Sequence, residues 1–156
     1  MQTKLFAAVL LALTTGCSLP PTSFEGAVTS GDERTVDVSE FAAEEQSEMS
    51  DCFASWLEFT GGAVNLRAVQ SDGDLKAHRG SYKSDSTPVY VKRVTQEAWL
   101  DPSRGSIRKL CLHAVGRAAG LKTHDSPGAL ATALEDLTDD FSTEDKAECQ
   151  TKGVCQ

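Results

Sequence analysis

LHAVGRAAGLKTHD, residues 112–125, is the stretch that says most about the fold of this chain. It continues an apolar pattern that predicts a helix over residues 106–119, and Gly120 is the natural stop for that helix. His113 and Arg117 are one helical turn apart, so both side chains share one face. The stretch therefore predicts a helix that presents a histidine and an arginine side by side and ends in a glycine turn.

The segments around this helix predict one further long helix, several strands and a short closing helix. Apolar residues recur at helical spacing between Met49 and Leu57, and Gly61-Gly62 stops that helix. Ser142 starts the closing helix as its N-cap. The strands are predicted by apolar alternation at residues 35–38, 64–69, 75–78 and 88–94. This order predicts an α+β fold, in which two main helices and a short C-terminal helix accompany a mixed sheet.

The first residues have the layout of an export signal. One lysine lies in residues 1–4, and residues 5–13 form an unbroken apolar run that is too short to span a bilayer. The Gly16-Cys17 junction that follows resembles the signal of bacterial lipoproteins, although Thr14 stands where that signal usually has Leu. The resemblance implies that Cys17 becomes the first mature residue and is acylated on its sulfur.

This resemblance also implies a domain order and a location. Residues 1–16 would be the signal peptide, residues 17–33 a lipid-anchored tether rich in Pro, Ser, Thr and Gly, and residues 34–156 the folded domain. The protein is then expected in the cell envelope, as an outer-membrane lipoprotein that faces the periplasm or the cell surface.

The charge of the chain restricts its partners. There are 15 Lys and Arg against 23 Asp and Glu, which gives a formal net charge of −8. Nucleic acid and anionic lipid surfaces both need a basic footprint, so neither is an expected partner. The expected partners are an unidentified protein or peptide, and a membrane through the lipid anchor alone.

Five cysteines are an odd number for an exported protein. Lipidation of Cys17 leaves four, which allow three pairings in an oxidising compartment. Cys149–Cys155 is favoured because it closes a short loop at little entropic cost. That pairing leaves Cys52–Cys111, which would join the two main helices.

The predicted helix over residues 106–119 resembles the zinc-binding helix of the metzincin metalloproteases, whose motif is H-E-x-x-H-x-x-G-x-x-H. In that motif the histidines bind zinc, and the Glu is the general base that activates the zinc-bound water. His113 matches the first His, and Gly120 matches the Gly. Ala114 stands at the position of the general base, and Arg117 stands at the second zinc ligand.

The end of the motif also departs from the family pattern. Strict spacing puts Thr123 at the third ligand, and His124 comes one residue late. Metzincins carry a Met beneath the zinc, whereas residues 126–134 contain none. The counterpart of that Met lies near Leu130 or Ala131.

The resemblance extends over roughly residues 35–156 and implies a zincin-like mixed sheet. The element order before the motif helix, the segment 56–62 and Leu121 after the glycine all resemble the matrixin-like branch of the family. Residues 141–155 are similar to its closing helix.

The replacements imply that the metzincin chemistry is lost. Arg117 stays protonated and offers no lone pair to a metal, and Ala114 cannot accept a proton. No catalytic residue and no cofactor are therefore expected, and His113 and His124 would be a vestigial metal pair. We expect the Arg117 guanidinium near the vacated metal position and near His124, with Asp125 as its nearest candidate partner. The expected activity is that of a pseudoprotease, a binding module that uses the old substrate cleft.

Two alternatives stay open at this point. The chain could be an active zinc metalloendopeptidase with an atypical metal site, or an envelope lipoprotein of unrelated fold in which the motif is a coincidence. His78 and the acidic residues of the segment 135–148 are possible substitute ligands. Their spacing does not favour that role, and the acidic segment is more simply interpreted as solvated surface.

Overall fold

The computed structural model of the chain describes residues 33–83 and 87–155. The predicted signal peptide, Cys17 and nearly all of the predicted tether lie outside these residues. Glu33 already belongs to the first strand, so regular structure begins one residue before the predicted domain boundary. The elements in chain order are β1 (Glu33–Asp37), α1 (Ala43–Phe59), β2 (Asn65–Val69), β3 (Leu75–Arg79), β4 (Val89–Lys92), β5 (Glu97–Leu100), α2 (Ile107–Ala118) and α3 (Thr143–Thr151).

The five strands form one mixed sheet in the order β2-β1-β3-β5-β4. β1 pairs in parallel with β2 and β3, and β3 pairs in parallel with β5. β4 pairs with β5 in antiparallel orientation and lies at the edge of the sheet. The prediction of an α+β fold with a mixed sheet, two main helices and a short C-terminal helix is confirmed.

The strand prediction for residues 88–94 is too long, and β5 was not predicted. After β4 the chain makes one turn of 3-10 helix, Arg93–Thr95, and reverses at Gln96, whose φ of 59° is left-handed. β5 then returns beside β4, with Ala98 and Leu100 buried. Four residues are too few for alternation to show clearly, and a left-handed glutamine has no signature in the sequence.

Both long helices cover the same face of the sheet. Leu75 and Ala77 of β3 and Ala98 and Leu100 of β5 are buried in the same core as the apolar residues of α1 and α2. Lys76, His78, Glu97 and Trp99 alternate with them and therefore lie on the opposite face. The helix side of the sheet thus holds the core, and α2 lies beneath the β5–β4 edge.

Two disulfides join parts of this structure. Cys52–Cys111 connects α1 to α2, and Cys149–Cys155 closes a small loop at the end of α3. Both pairings are those that the sequence favoured. Of the helices that the structure describes, none has the length and apolar character needed to cross a membrane.

Candidate functional site

An open cleft of about 630 Å³ lies between α2 and the edge strand β4. His113 and Arg117 line it from the helix, and Thr87 and residues 89–94 line it from the strand side. The two side chains share this cleft because they are one turn apart on α2, as the sequence predicted.

The strand side of the cleft offers backbone groups as well as side chains. The Asp101 amide donates to the Pro88 carbonyl at 2.9 Å, which marks the start of the β4–β5 hydrogen-bonding pattern. Hydrogen-bonded and non-hydrogen-bonded residue pairs alternate along an antiparallel pair of strands. The backbone of Tyr90 therefore bonds to β5, whereas the amides and carbonyls of Val89 and Val91 point away from β5. Among residues 33–83 and 87–155, no other strand pairs with this side of β4, which is therefore an unpaired strand edge in the described structure.

His113 is held as a neutral imidazole. Its Nδ1 lies 3.2 Å from the Ala129 carbonyl, which can only accept, so Nδ1 carries the proton and Nε2 keeps its lone pair. Burial lowers the pKa of His113 to about 4, and the nearby Arg117 cation also acts to lower it. Around neutral pH the ring therefore offers the cleft an acceptor.

Arg117 contributes the positive charge at the same wall. Its Nη1 donates to the Leu121 carbonyl at 3.2 Å. Asp125, the partner expected from the sequence, is an exposed residue, and within residues 33–83 and 87–155 it forms no ion pair with Arg117. Arg93 of the strand side donates from Nη2 to the Arg117 carbonyl at 2.7 Å and so caps the C-terminus of α2.

Ala114, which the motif predicted at the position of a general base, faces the core. It is 4% exposed and borders an apolar void of about 20 Å³ between α2, α1 and the sheet. A carboxylate here would point among side chains such as Phe53 and Met49. The position therefore supplies packing and no proton acceptor.

His124 is oriented by a different set of partners. Its Nε2 donates to Oδ1 of Asp145 at 2.8 Å, and its Nδ1 donates to the Ser126 carbonyl at 3.0 Å. Both ring nitrogens of His124 are therefore engaged by groups outside the cleft. The described residues that line the cleft include His113 but not His124.

Asp145 corrects the interpretation of residues 135–148 as a solvated acidic surface. Its side chain is fully buried at the start of α3. Besides His124, it accepts hydrogen bonds from the backbone amides of Ala129, Leu130 and Ser142 at 3.0, 3.2 and 2.7 Å. The sequence signal was the Ser142 capping box, which predicts the helix start but does not show that the second acid faces inward.

The segment of Ala129 and Leu130, whose amides bind Asp145, packs against α2. Leu130 and Ala131, the predicted counterparts of the family's Met, are both buried. Leu130 packs so close to Gly116 of α2 that a Cβ on that glycine would lie 2.5 Å from Leu130 Cδ2. Ala129 gives its amide to Asp145 and its carbonyl to His113, so one residue links the buried carboxylate to the cleft histidine.

A smaller pocket of about 140 Å³ adjoins the cleft and shares Thr87, Val89 and His113 with it. Its walls are largely apolar, and its lining residues include Pro88, Val89, Ala131, Leu134 and Leu137. The site thus combines a strand edge, a neutral imidazole, a guanidinium and an apolar pocket.

These donors do not fit zinc. Arg117 places a fixed cation beside His113, and both nitrogens of His124 are engaged elsewhere. His78 lies on the outer face of the sheet, with Nδ1 at 3.0 Å from Glu40 and Nε2 at 3.1 Å from Glu97. Within residues 33–83 and 87–155, no group of three or more His, Cys, Asp or Glu side chains is arranged to hold a metal ion.

Comparison with known proteins adds no family. No protein-family model matches the chain, and a search of curated proteins finds no match. Fold and site together define an α+β protein with an open cleft between a helix and an unpaired strand edge.

Proposed function

We propose that this chain is an exported lipoprotein whose metzincin-like domain binds an extended peptide segment and does not hydrolyse it. The observation that carries the proposal is the unpaired β4 edge, which faces His113 and Arg117 across the cleft. The described residues of the cleft offer a strand edge that can bind an extended chain, and they support binding better than cleavage.

The metzincin resemblance supports the proposal through the placement of its surviving residues. His113 lies in the cleft, Gly120 takes a left-handed φ of 83° directly after α2, and the segment around Leu130 packs beneath the helix. The mixed sheet with two main helices and a short closing helix is the arrangement that the resemblance implies.

A peptide can add to the sheet as a further strand. The amides and carbonyls of Val89 and Val91 supply main-chain hydrogen bonds, and alternate peptide side chains then point toward α2. The apolar pocket beside His113 can accept one of them. This mode recognises an extended backbone, which suits an unfolded segment of another protein.

The residues at the motif positions do not support hydrolysis. Ala114 has no proton acceptor, Arg117 occupies the position of a zinc ligand, and His124 is bound to Asp145. The zinc metalloendopeptidase alternative therefore receives no support from a specific observation.

The anchor at Cys17 is the second part of the proposal. It rests on the sequence, and the two disulfides suit an oxidising compartment. Mass spectrometry of the native protein should find Cys17 acylated at the mature N-terminus. A mature N-terminus elsewhere, or a free Cys17 thiol, would remove this part of the proposal.

Peptide binding can be tested by fluorescence polarisation. The purified full-length protein is titrated into terminally blocked, labelled hexapeptides rich in Val and Thr, with one Leu. We expect binding to wild type and no cleavage over hours. Val91→Pro should weaken binding at least about fivefold, since it removes an outward amide that β5 does not use. Tyr90→Pro removes an amide that bonds to β5 and is expected to lower the melting temperature instead.

A second variant leaves the strand intact. Val94 lines the cleft and is 83% exposed, so Val94→Ser should weaken binding without changing the melting temperature. No binding of any peptide, or binding indifferent to both cleft variants, would refute the binding function. Cleavage that a chelator abolishes would show an enzyme.

A further inference from the structure

We infer that the cleft selects a peptide with an acidic side chain, whose carboxylate binds the Arg117 guanidinium. This inference rests on the proposed function and names the class of its ligand.

Charge is the first reason. The chain has a formal net charge of −8, so a site chosen at random on its surface would be mostly acidic. In the described part of the chain, the charged residues that line the cleft are all basic: Lys92, Arg93 and Arg117. A positive cleft on a negative protein attracts an anionic group and repels a cationic one.

The geometry of Arg117 is the second reason. Its hydrogen bond to the uncharged Leu121 carbonyl uses Nη1. A guanidinium has five N–H donors, and a carboxylate can accept two of them in parallel. Arg117 is therefore held in place by a backbone contact while further donors stay available to a ligand.

Arg93 contributes charge and position. Its guanidinium is fixed on the Arg117 carbonyl, which is the end of α2 nearest to the strand. That contact holds the two cationic residues at the same end of the cleft. Val94 follows Arg93 and still lines the cleft, so the groove continues past the arginine pair.

This continuation decides the source of the carboxylate. A peptide that ended at Arg117 would leave the Val94 side of the cleft uncovered, whereas an internal Asp or Glu lets the chain run on past it. We therefore assign the carboxylate to an internal acidic side chain and not to a peptide C-terminus.

The neutral ring of His113 makes a Gln side chain the main alternative to an acidic one. Its Nε2 lone pair accepts a hydrogen bond from a peptide N–H, but it repels a carboxylate oxygen. A Gln side chain could satisfy both residues, with its oxygen on Arg117 and its amide on His113. The acidic side chain is preferred because the charged bond to Arg117 is the stronger interaction, so a Glu-to-Gln comparison is the decisive one.

The experiment uses four blocked hexapeptides that differ at one central position, which is Glu, Gln, Lys or Ala, and a fifth Gln peptide with a free C-terminal carboxylate. Fluorescence polarisation with the full-length protein gives each dissociation constant. We expect the Glu peptide to bind roughly tenfold tighter than the Gln peptide, and the Lys peptide to bind most weakly. The preference for Glu should shrink as salt is raised.

Variants of Arg117 test whether this residue causes the preference for the Glu peptide. Arg117→Gln should remove the difference between Glu and Gln peptides, whereas Arg117→Lys should keep part of it. Arg104→Gln is the matched control, because Arg104 is an exposed arginine outside the cleft, and it should change nothing. If Arg117→Gln lowers the melting temperature, the ranking of the four peptides on wild type still tests the inference.

The outcomes separate the two proposals. If the Glu and Gln peptides bind equally, or Gln binds tighter, the inference is wrong and the peptide-binding function stands. The fifth peptide tests the source of the carboxylate. If it binds tighter than the blocked Gln peptide through Arg117, while the blocked Glu peptide does not, the assignment to an internal acid is wrong. If no peptide binds, the proposed function fails, and the inference fails with it.

Discussion

His124 donates from Nε2 to Oδ1 of the fully buried Asp145 at 2.8 Å. The histidine that the sequence offered as a displaced metal ligand is thereby bound to the start of α3. The same carboxylate accepts the amides of Ala129 and Leu130, so it holds the segment on which α2 rests.

Replacing Asp145 by Asn should destabilise the fold strongly. One carboxylate oxygen would become an amide donor that faces other donors, and Nε2 of His124 could lose its acceptor. Removing one partner of a buried pair typically costs about 3–5 kcal/mol, so we expect a loss of that order in the free energy of unfolding. Urea unfolding measures it, and Asp125→Asn, at an exposed position, should stay within about 0.5 kcal/mol of wild type. A small effect of Asp145→Asn would mean that this carboxylate does not organise the segment.

Gly128 should not tolerate a methyl group. A Cβ there would lie 2.8 Å from Asp145 Oδ2 and from Ser142 Oγ, and 3.0 Å from His124 Cε1. These three side chains are fixed by the hydrogen bonds around Asp145, so Gly128→Ala is expected to cost about 1–3 kcal/mol. At Gly105 the nearest atom would be Leu110 Cδ2 at 3.5 Å, an ordinary contact, and Gly105→Ala serves as the control in the same thermal unfolding series.

Stability should fall as the pH is lowered through a window set by His113. Burial lowers its pKa from 6.5 to about 4 in the folded chain, so between these values the unfolded state binds a proton that the folded state does not. The free energy of unfolding should therefore decrease from about pH 6.5 to about pH 4, by up to about 3 kcal/mol. His113→Gln should unfold with a flatter profile over that window. Parallel profiles of the two proteins would show that His113 is not buried as a neutral ring.

The Cys52–Cys111 bridge should contribute more stability than Cys149–Cys155. Their sequence separations are 59 and 6 residues, and loop entropy predicts about 4 and about 2 kcal/mol respectively. The paired Cys→Ala variants can be compared by urea unfolding. The reverse order would show that loop entropy does not govern these two bridges.

The sequence predicted the elements whose patterns are local. The face shared by His113 and Arg117 and the end of α2 at Gly120 follow from helical spacing and glycine, and both are present. β5 was missed because the chain reverses through a left-handed Gln96, which no local pattern marks.

Asp145 was missed for a different reason. An acid in the first turn of a helix is usually solvated, and its burial here depends on amides from a segment some 15 residues earlier in the chain. The spacing of residues in the sequence does not reveal tertiary contacts of this kind. The orientation of His124 depends on the same contact with Asp145 and could not be predicted either.

Zinc stoichiometry of the purified full-length protein tests the central claim most directly, namely that the cleft between α2 and β4 has no metal centre. The protein is incubated with excess zinc, dialysed and measured by native mass spectrometry beside His113→Ala. We predict that the wild type retains no more zinc than the variant and that a chelator leaves its melting temperature unchanged. One zinc per wild-type chain, lost in His113→Ala, would contradict the account and restore the atypical metalloprotease.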